Sequence, residues 1–169
     1  MAQAGGSWSA AWRYRRAVAG ATSGEATVGI AAPAARVYEL VSDISRMGDW
    51  SPECRGGEWV GGASGPEVGA MVRGDNRLGP FRWSTTSKVV AASPGREFAF
   101  TVILRGREST RWCYRFEPIT GGTAVTESYE FVWAPWHIFI GDVLMGRDRQ
   151  LRRGLRTTLA RLKAAAERM

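Results

Sequence analysis

The chain has 169 residues, 44% of them hydrophobic, and a formal net charge of +7. That length holds one domain with a real core, and that apolar share excludes wholesale disorder. No run of about 18 apolar residues is present, which excludes a membrane-crossing helix, and Cys54 and Cys113 have neither metal-ligand spacing nor the number a disulfide framework needs, so a reduced, cytoplasmic setting is expected.

Residues 1–24 are rich in Ala, Gly and Ser, carry Arg13, Arg15 and Arg16 without an acid, and hold Trp8 and Trp12. A basic, mobile extension is predicted here, with residues 25–169 forming the domain. The Arg15-Arg16 pair invites a twin-arginine reading, but the AVAGATSGEATVG that follows is too short and too weakly apolar for a signal peptide. EATVGI, Glu25 to Ile30, predicts a short strand. Pro33 then opens a helix in which Val37, Leu40, Val41 and Ile44 recur at helical spacing. MGDWSP, Met47 to Pro52, breaks that spacing and predicts a short helical turn and loop.

From Glu53 the period is two. Strands are predicted over Glu53–Val60, Ala70–Arg77, Phe81–Ala91 and Arg96–Leu104, separated by the glycine-rich loop 61–69 and by turns at Gly79-Pro80 and Ser93-Pro94-Gly95. In the last of these strands Phe98, Phe100, Val102 and Leu104 share a face. Ser109 to Phe131 predicts a hairpin turning at Pro118 and Gly121-Gly122. Trp112, Tyr114 and Phe116 alternate with Arg111, Cys113 and Arg115 on its first strand. Thr123, Val125, Glu127, Tyr129 and Phe131 share a face on its second. A carboxylate thus stands on an otherwise greasy face, which is how small-molecule pockets are commonly lined.

After Trp136 the period becomes helical. Leu144, Leu151, Leu155, Leu159 and Leu162 fall in one sector of a helical wheel, with Arg149, Arg152, Arg153, Arg156 and Lys163 opposite. A helix over residues 138–167, with a bend at Gly146, would be about 45 Å long. The order of elements is one strand, a helical pair, six strands and one long amphipathic helix. Consecutive strands with short turns give an antiparallel sheet, and one apolar helix stripe on one apolar sheet face gives a two-layer α+β domain.

This order resembles the helix-grip fold of the START/Bet v 1-like (SRPBCC) superfamily. The segments RMGDWSPEC (Arg46–Cys54), RWSTT (Arg82–Thr86), RWCYRFEP (Arg111–Pro118) and GGT (Gly121–Thr123) resemble the bacterial polyketide cyclase/dehydrase and lipid-transport family, over about Glu25 to Arg168. The resemblance implies a curved seven-stranded antiparallel sheet wrapped around a long C-terminal helix, with two short helices after the first strand. It also implies a cavity for a hydrophobic ligand between them, lined from the inner sheet face, the helix and the short-helix region. Fold alone does not fix activity.

On this reading Trp50, Arg73, Trp83, Phe98, Phe100, Trp112, Tyr114, Glu127, Tyr129, Leu144 and Leu151 are the candidate ligand contacts, with no metal and no cofactor expected. The aromatic residues either stack on a flat ligand or simply fill space. Glu127 is the strongest chemical candidate, because burial turns a carboxylate into a proton donor or base; the competing expectation is a cross-strand ion pair with an arginine such as Arg73. The lone His137 is a candidate general base or a junction capping residue.

Three functions follow. The first is binding of a lipid or polyketide-like molecule, as carrier or sequestering protein. The second is a polyketide cyclase or aromatase in which Glu127 and Tyr129 move protons and Arg73 stabilises an enolate oxygen. The third uses the basic termini, since residues 1–24 carry +3, residues 138–169 carry +5 and the rest −1. Those ends suit an anionic membrane surface. Nucleic acid fits them poorly, because most of the Trp residues lie away from the charge. No feature sets an oligomeric state.

Overall fold

The computed structural model of the chain describes residues 23–133 and 146–168. In chain order these form β1 (Ser23–Ile30), α1 (Ala34–Ser42), a single 3-10 turn (Ile44–Arg46), α2 (Met47–Trp50), β2 (Cys54–Val60), β3 (Met71–Leu78), β4 (Phe81–Ser93), β5 (Glu97–Leu104), β6 (Arg107–Ile119), β7 (Gly122–Phe131) and α3 (Arg147–Glu167).

The seven strands make one sheet in the order β1-β7-β6-β5-β4-β3-β2, antiparallel at every junction. Strands β2 to β7 each pair with their sequence neighbour, β2 and β3 across the glycine-rich loop 61–70 and the rest through short turns. The exception is β1 to β2. These strands lie at opposite edges of the sheet, and the α1–α2 segment carries the chain across. The sheet curves around α3, the helix-grip arrangement that the resemblance implied.

Local chemistry explains the crossing. Pro33 is the cap of α1, in an extended conformation one residue before the first helical position, rather than inside the first turn as the sequence suggested. Val37, Tyr38, Leu40 and Val41 then bury one face of α1. The start of β7 is pressed against the end of β1: a methyl group on Gly122 would run into the Ile30 carbonyl. Only glycine allows that approach without moving backbone.

Two predicted boundaries shift. Ser23 and Gly24, assigned to the extension by sequence, are the first residues of β1 and pair with Glu130 and Tyr129 of β7. The long helix starts at Arg147, because Gly146 adopts the left-handed conformation (φ 65°) and caps it. Its 21 residues span about 31 Å at the usual rise, shorter than the expected 45 Å. Residues 1–22 and 134–145, which include Trp8, Trp12, His137 and Leu144, lie outside the described residues.

The core fills one end of the grip. Leu159, Leu162 and Ala166, near the C-terminus of α3, pack with α1 and with Phe98, Phe116 and Val125 of the sheet. Toward the N-terminus of α3, Leu151 and Leu155 pack with Tyr129. The opposite helix face exposes Arg149, Arg152, Arg153 and Arg156. Two of the basic side chains also clamp the edge strand: Arg152 Nη2 donates to the Ser23 carbonyl at 2.6 Å and Lys163 Nζ to the Gly29 carbonyl at 2.5 Å. No helix among the described residues is long and apolar enough to cross a membrane.

Candidate functional site: a cavity between the sheet and the C-terminal helix

Where the N-terminal half of α3 crosses the sheet, the two layers do not close, and a cavity of about 430 Å³ lies between them. Strand periodicity builds its floor. Val72, Gly74, Asn76 and Leu78 of β3 point inward, and so do Trp83, Thr85, Ser87 and Val89 of β4. The central strands add Phe98, Phe100 and Val102 from β5, and Trp112 and Tyr114 from β6. Leu151, Gly154, Leu155 and Thr158 of α3 form the roof. Apart from Asn76, Gln150, the Cys54 thiol, the charged groups at the rim and the pair described next, the lining among the described residues is apolar or carries small hydroxyls.

Glu127 of β7 lines this cavity while only 3% of its surface meets solvent. Tyr114, opposite it on β6, donates its hydroxyl proton to Glu127 Oε1 at 2.7 Å. Oε2 has no hydrogen-bond partner among the described residues. Burial pushes the Glu127 carboxyl up to about 8, with the Tyr114 hydrogen bond opposing the rise. Burial, then the charge and hydrogen bond of Glu127, push the Tyr114 phenol well above its ordinary value. The cross-strand ion pair expected for Glu127 does not form. Its partner is a phenol, and at neutral pH the carboxyl keeps its proton.

That buried acid makes stability depend on pH. The folded state binds the proton more tightly than the unfolded chain, so the contribution is fully present below about 4.5, the ordinary value. It is lost as pH rises toward about 8 and changes no further above it. Urea midpoints measured from pH 5 to 9 should therefore fall over this window in the wild type and be flatter in Glu127→Gln; parallel profiles would show that Glu127 is ionised throughout.

The sequence candidates divide by location. Trp83, Phe98, Phe100, Trp112, Tyr114, Glu127 and Leu151 line the cavity. Arg73 does not. The inner phase of β3 is set by Val72, 8% exposed, which turns Arg73 to the outer face. There it meets Glu58 of β2 at 4.0 Å in a solvent-exposed pair. Trp50 sits in the core instead, 1% exposed, with the Arg46 guanidinium 5.4 Å from its ring centre. Tyr129 shares the inner face of β7 but lies under α3. Its ring packs on Trp112 and Phe131, and its hydroxyl donates to Asp148 at 2.8 Å. Burial, reinforced by Asp148, pushes that phenol far up, so Tyr129 acts as a bolt between β7 and α3. His137 and Leu144 lie outside the described residues.

Sequence reasoning missed the polar rim. Arg147, first residue of α3, donates through both terminal nitrogens to the Glu53 carboxylate at 2.6 and 2.5 Å. Both residues line the cavity, and each side chain is about one-fifth exposed. This two-point contact ties the α2–β2 loop to the start of the roof. The helical wheel held a signal for it: Arg147 stands four residues before Leu151, on the leucine side of the helix and not on the basic face. Asn76 was also missed; its amide donates to Thr85 Oγ1 at 3.2 Å. The alternation of charged Arg73, Asp75 and Arg77 with Val72, Gly74 and Asn76 held that information.

Cys54 and Cys113 are free thiols. Cys113 donates to Glu97 at 3.3 Å, and burial with that contact pushes it up to about 12, which keeps it an inert thiol. No cluster of three or more metal-ligating side chains occurs among the described residues.

A family model described as polyketide cyclase/dehydrase and lipid transport matches residues 21–167. The solution structure of the Polyketide_cyc-like protein Cgl2372 from Corynebacterium glutamicum is 36% identical, with a TM-score of 0.55, over 88% of this chain and 90% of that one. The di-domain ARO/CYC BexL from the BE-7585A biosynthetic pathway is 22% identical, with a TM-score of 0.65, over 87% of this chain and 50% of its own. Ara h 8.0201 is 14% identical, with a TM-score of 0.57, over 86% and 97%. The last two share the fold. No curated protein matches the chain.

Proposed function

The chain belongs to the polyketide cyclase/dehydrase and lipid-transport family, and from that premise we propose that it binds a hydrophobic small molecule, lipid or polyketide-like, between its sheet and α3, as a carrier or sequestering protein. The observation that carries this reading is the cavity of about 430 Å³, walled by Phe100, Trp112 and Leu151. A space of that size within the range of small-molecule sites, mostly apolar with a few placed polar groups, has the form of a ligand pocket. The two free thiols are compatible with a reduced, cytoplasmic compartment.

A cyclase or aromatase is the second reading. It is favoured by one feature, a carboxyl that holds its proton at neutral pH inside the cavity, and it is weakened by the location of its other two groups. Arg73 is on the outer face and the Tyr129 hydroxyl is engaged by Asp148, so neither of the two groups that the sequence paired with Glu127 for such chemistry stands in the cavity. Docking on an anionic membrane would draw on exposed Arg149, Arg153 and Arg156.

Native mass spectrometry of the freshly purified protein tests the binding reading. A bound species of small-molecule mass, released on denaturation and extractable into organic solvent, is expected. A ligand-free mass, together with no uptake of 1-aminoanthracene by the refolded protein, would contradict it.

A further inference from the structure

Among the described residues Glu127 is the one strongly buried acid in the cavity wall, and the pair it makes with Tyr114 is asymmetric. Tyr114 uses its only proton on Oε1. Oε2 is left to carry the proton of the neutral acid, and it meets no hydrogen-bond partner among the described residues. A buried donor without an acceptor is costly, and a carboxylic acid kept neutral by an apolar site is a good hydrogen-bond donor.

We propose that the Glu127–Tyr114 pair is a recognition site for a neutral oxygen acceptor, so that the ligand is an apolar molecule with a carbonyl group seated on the carboxyl O–H of Glu127. This deepens the cavity-binding reading and rests on it. Tyr114 is the positioning residue: by occupying Oε1 it leaves Oε2 as the donor. An ammonium ligand would require an ionised Glu127, and the surroundings do not favour that form. Among the described residues the titratable or charged groups that line the same cavity are Tyr114 from β6, Cys54 from β2, Glu53 from the α2–β2 loop, and Arg147 and Arg153 from α3. Arg147 is engaged by Glu53, and the Glu127 carboxyl is governed by burial and by Tyr114.

Recognition of this kind is pH-dependent. Above about 8, the value to which burial raises Glu127, the donor becomes an anion that repels a carbonyl oxygen. Three naphthalene probes of similar size separate the possibilities: 2-acetylnaphthalene carries the carbonyl, 2-ethylnaphthalene is its hydrocarbon counterpart, and 1-(2-naphthyl)ethylamine is cationic. Affinities are read by quenching of Trp fluorescence between pH 6.5 and 9.5.

The ketone is expected to lose about tenfold or more in affinity across that range, while the hydrocarbon changes less than about twofold. Glu127→Gln keeps an N–H donor but cannot ionise, so its ketone affinity should be level with pH. A Tyr114→Phe variant, in which the proton can sit on either oxygen, should weaken the ketone more than the hydrocarbon. A ketone profile as flat as that of the hydrocarbon in the wild type overturns the proposal and leaves the cavity reading standing. So does an amine that binds more tightly than the ketone at pH 7. Failure of all three probes to bind overturns both. The wild-type profiles suffice for this decision if a variant does not fold.

Discussion

Trp50→Ala is expected to lower the unfolding free energy by about 3–5 kcal/mol, the usual range for removing a buried aromatic side chain. Trp50 is 1% exposed and belongs to the main core cluster beside Met47, Ile44 and Leu159. It ends α2, the short helix that packs against both α3 and β2, so its loss leaves a void where three elements meet. Its ring nitrogen is buried without a partner among the described residues. Trp50→Phe, which keeps an aromatic ring and discards that unpaired N–H, should therefore cost less than alanine. Urea denaturation of both variants checks the order. A loss below about 1 kcal/mol for alanine would mean that Trp50 does not support the core, and would return it to the candidate ligand contacts.

Leu155→Ala should cost about 2–5 kcal/mol. Leu155 is 2% exposed and packs with Leu151 and Tyr129, fastening the N-terminal half of α3 over the sheet. Its neighbour Arg156 is exposed, so Arg156→Ala is the matched control, with a change within about 0.5 kcal/mol. Equal effects of the two substitutions would contradict the placement of α3. The true cost of Leu155→Ala depends on how far the roof relaxes, because the side chain also borders the cavity. Collapse into existing space would bring the value toward the lower end of the range.

The two faces of β5, β6 and β7 were legible because large apolar residues recur at every second position along them. Phe98-Phe100-Val102, Trp112-Tyr114-Phe116 and Thr123-Val125-Glu127-Tyr129 share faces as the alternation grouped them, and it is the packing of α3 that makes those faces the inner ones. The same alternation is present on β3: Arg73, Asp75 and Arg77 mark its outer face, and this places Arg73 away from the ligand. The leucine spacing of α3 was legible too, but its start was not. Periodicity passes smoothly through Gly146, whereas a left-handed glycine ends helical geometry at that residue.

Position along the depth of a layer was the harder quantity. Trp50, Trp112 and Tyr129 look equivalent as aromatic residues on buried faces, yet only Trp112 reaches the cavity. What separates them is tertiary: the α1–α2 crossing encloses Trp50, and Asp148 of α3 draws Tyr129 to the roof. The Glu127–Tyr114 bond was half visible. Each residue was placed on an inner face, but the register that sets them opposite one another depends on the hairpin turn, and the turn alone does not determine how the two side chains meet. The Glu53–Arg147 bridge joins residues 94 apart in sequence, and no local pattern signals such a contact.

The most direct test of the cavity as a ligand site is a methyl-labelled NMR titration with 2-ethylnaphthalene, a probe that needs nothing but apolar space. Saturable shifts are expected at the methyl groups of Val72, Val102, Leu151 and Leu155, which border the cavity. Val68 and Ile119, exposed on the surface at 68% and 47%, should stay unchanged. Shifts confined to Val68 and Ile119, or no saturable shift at any of these methyls, would contradict a ligand-binding space between the sheet and α3.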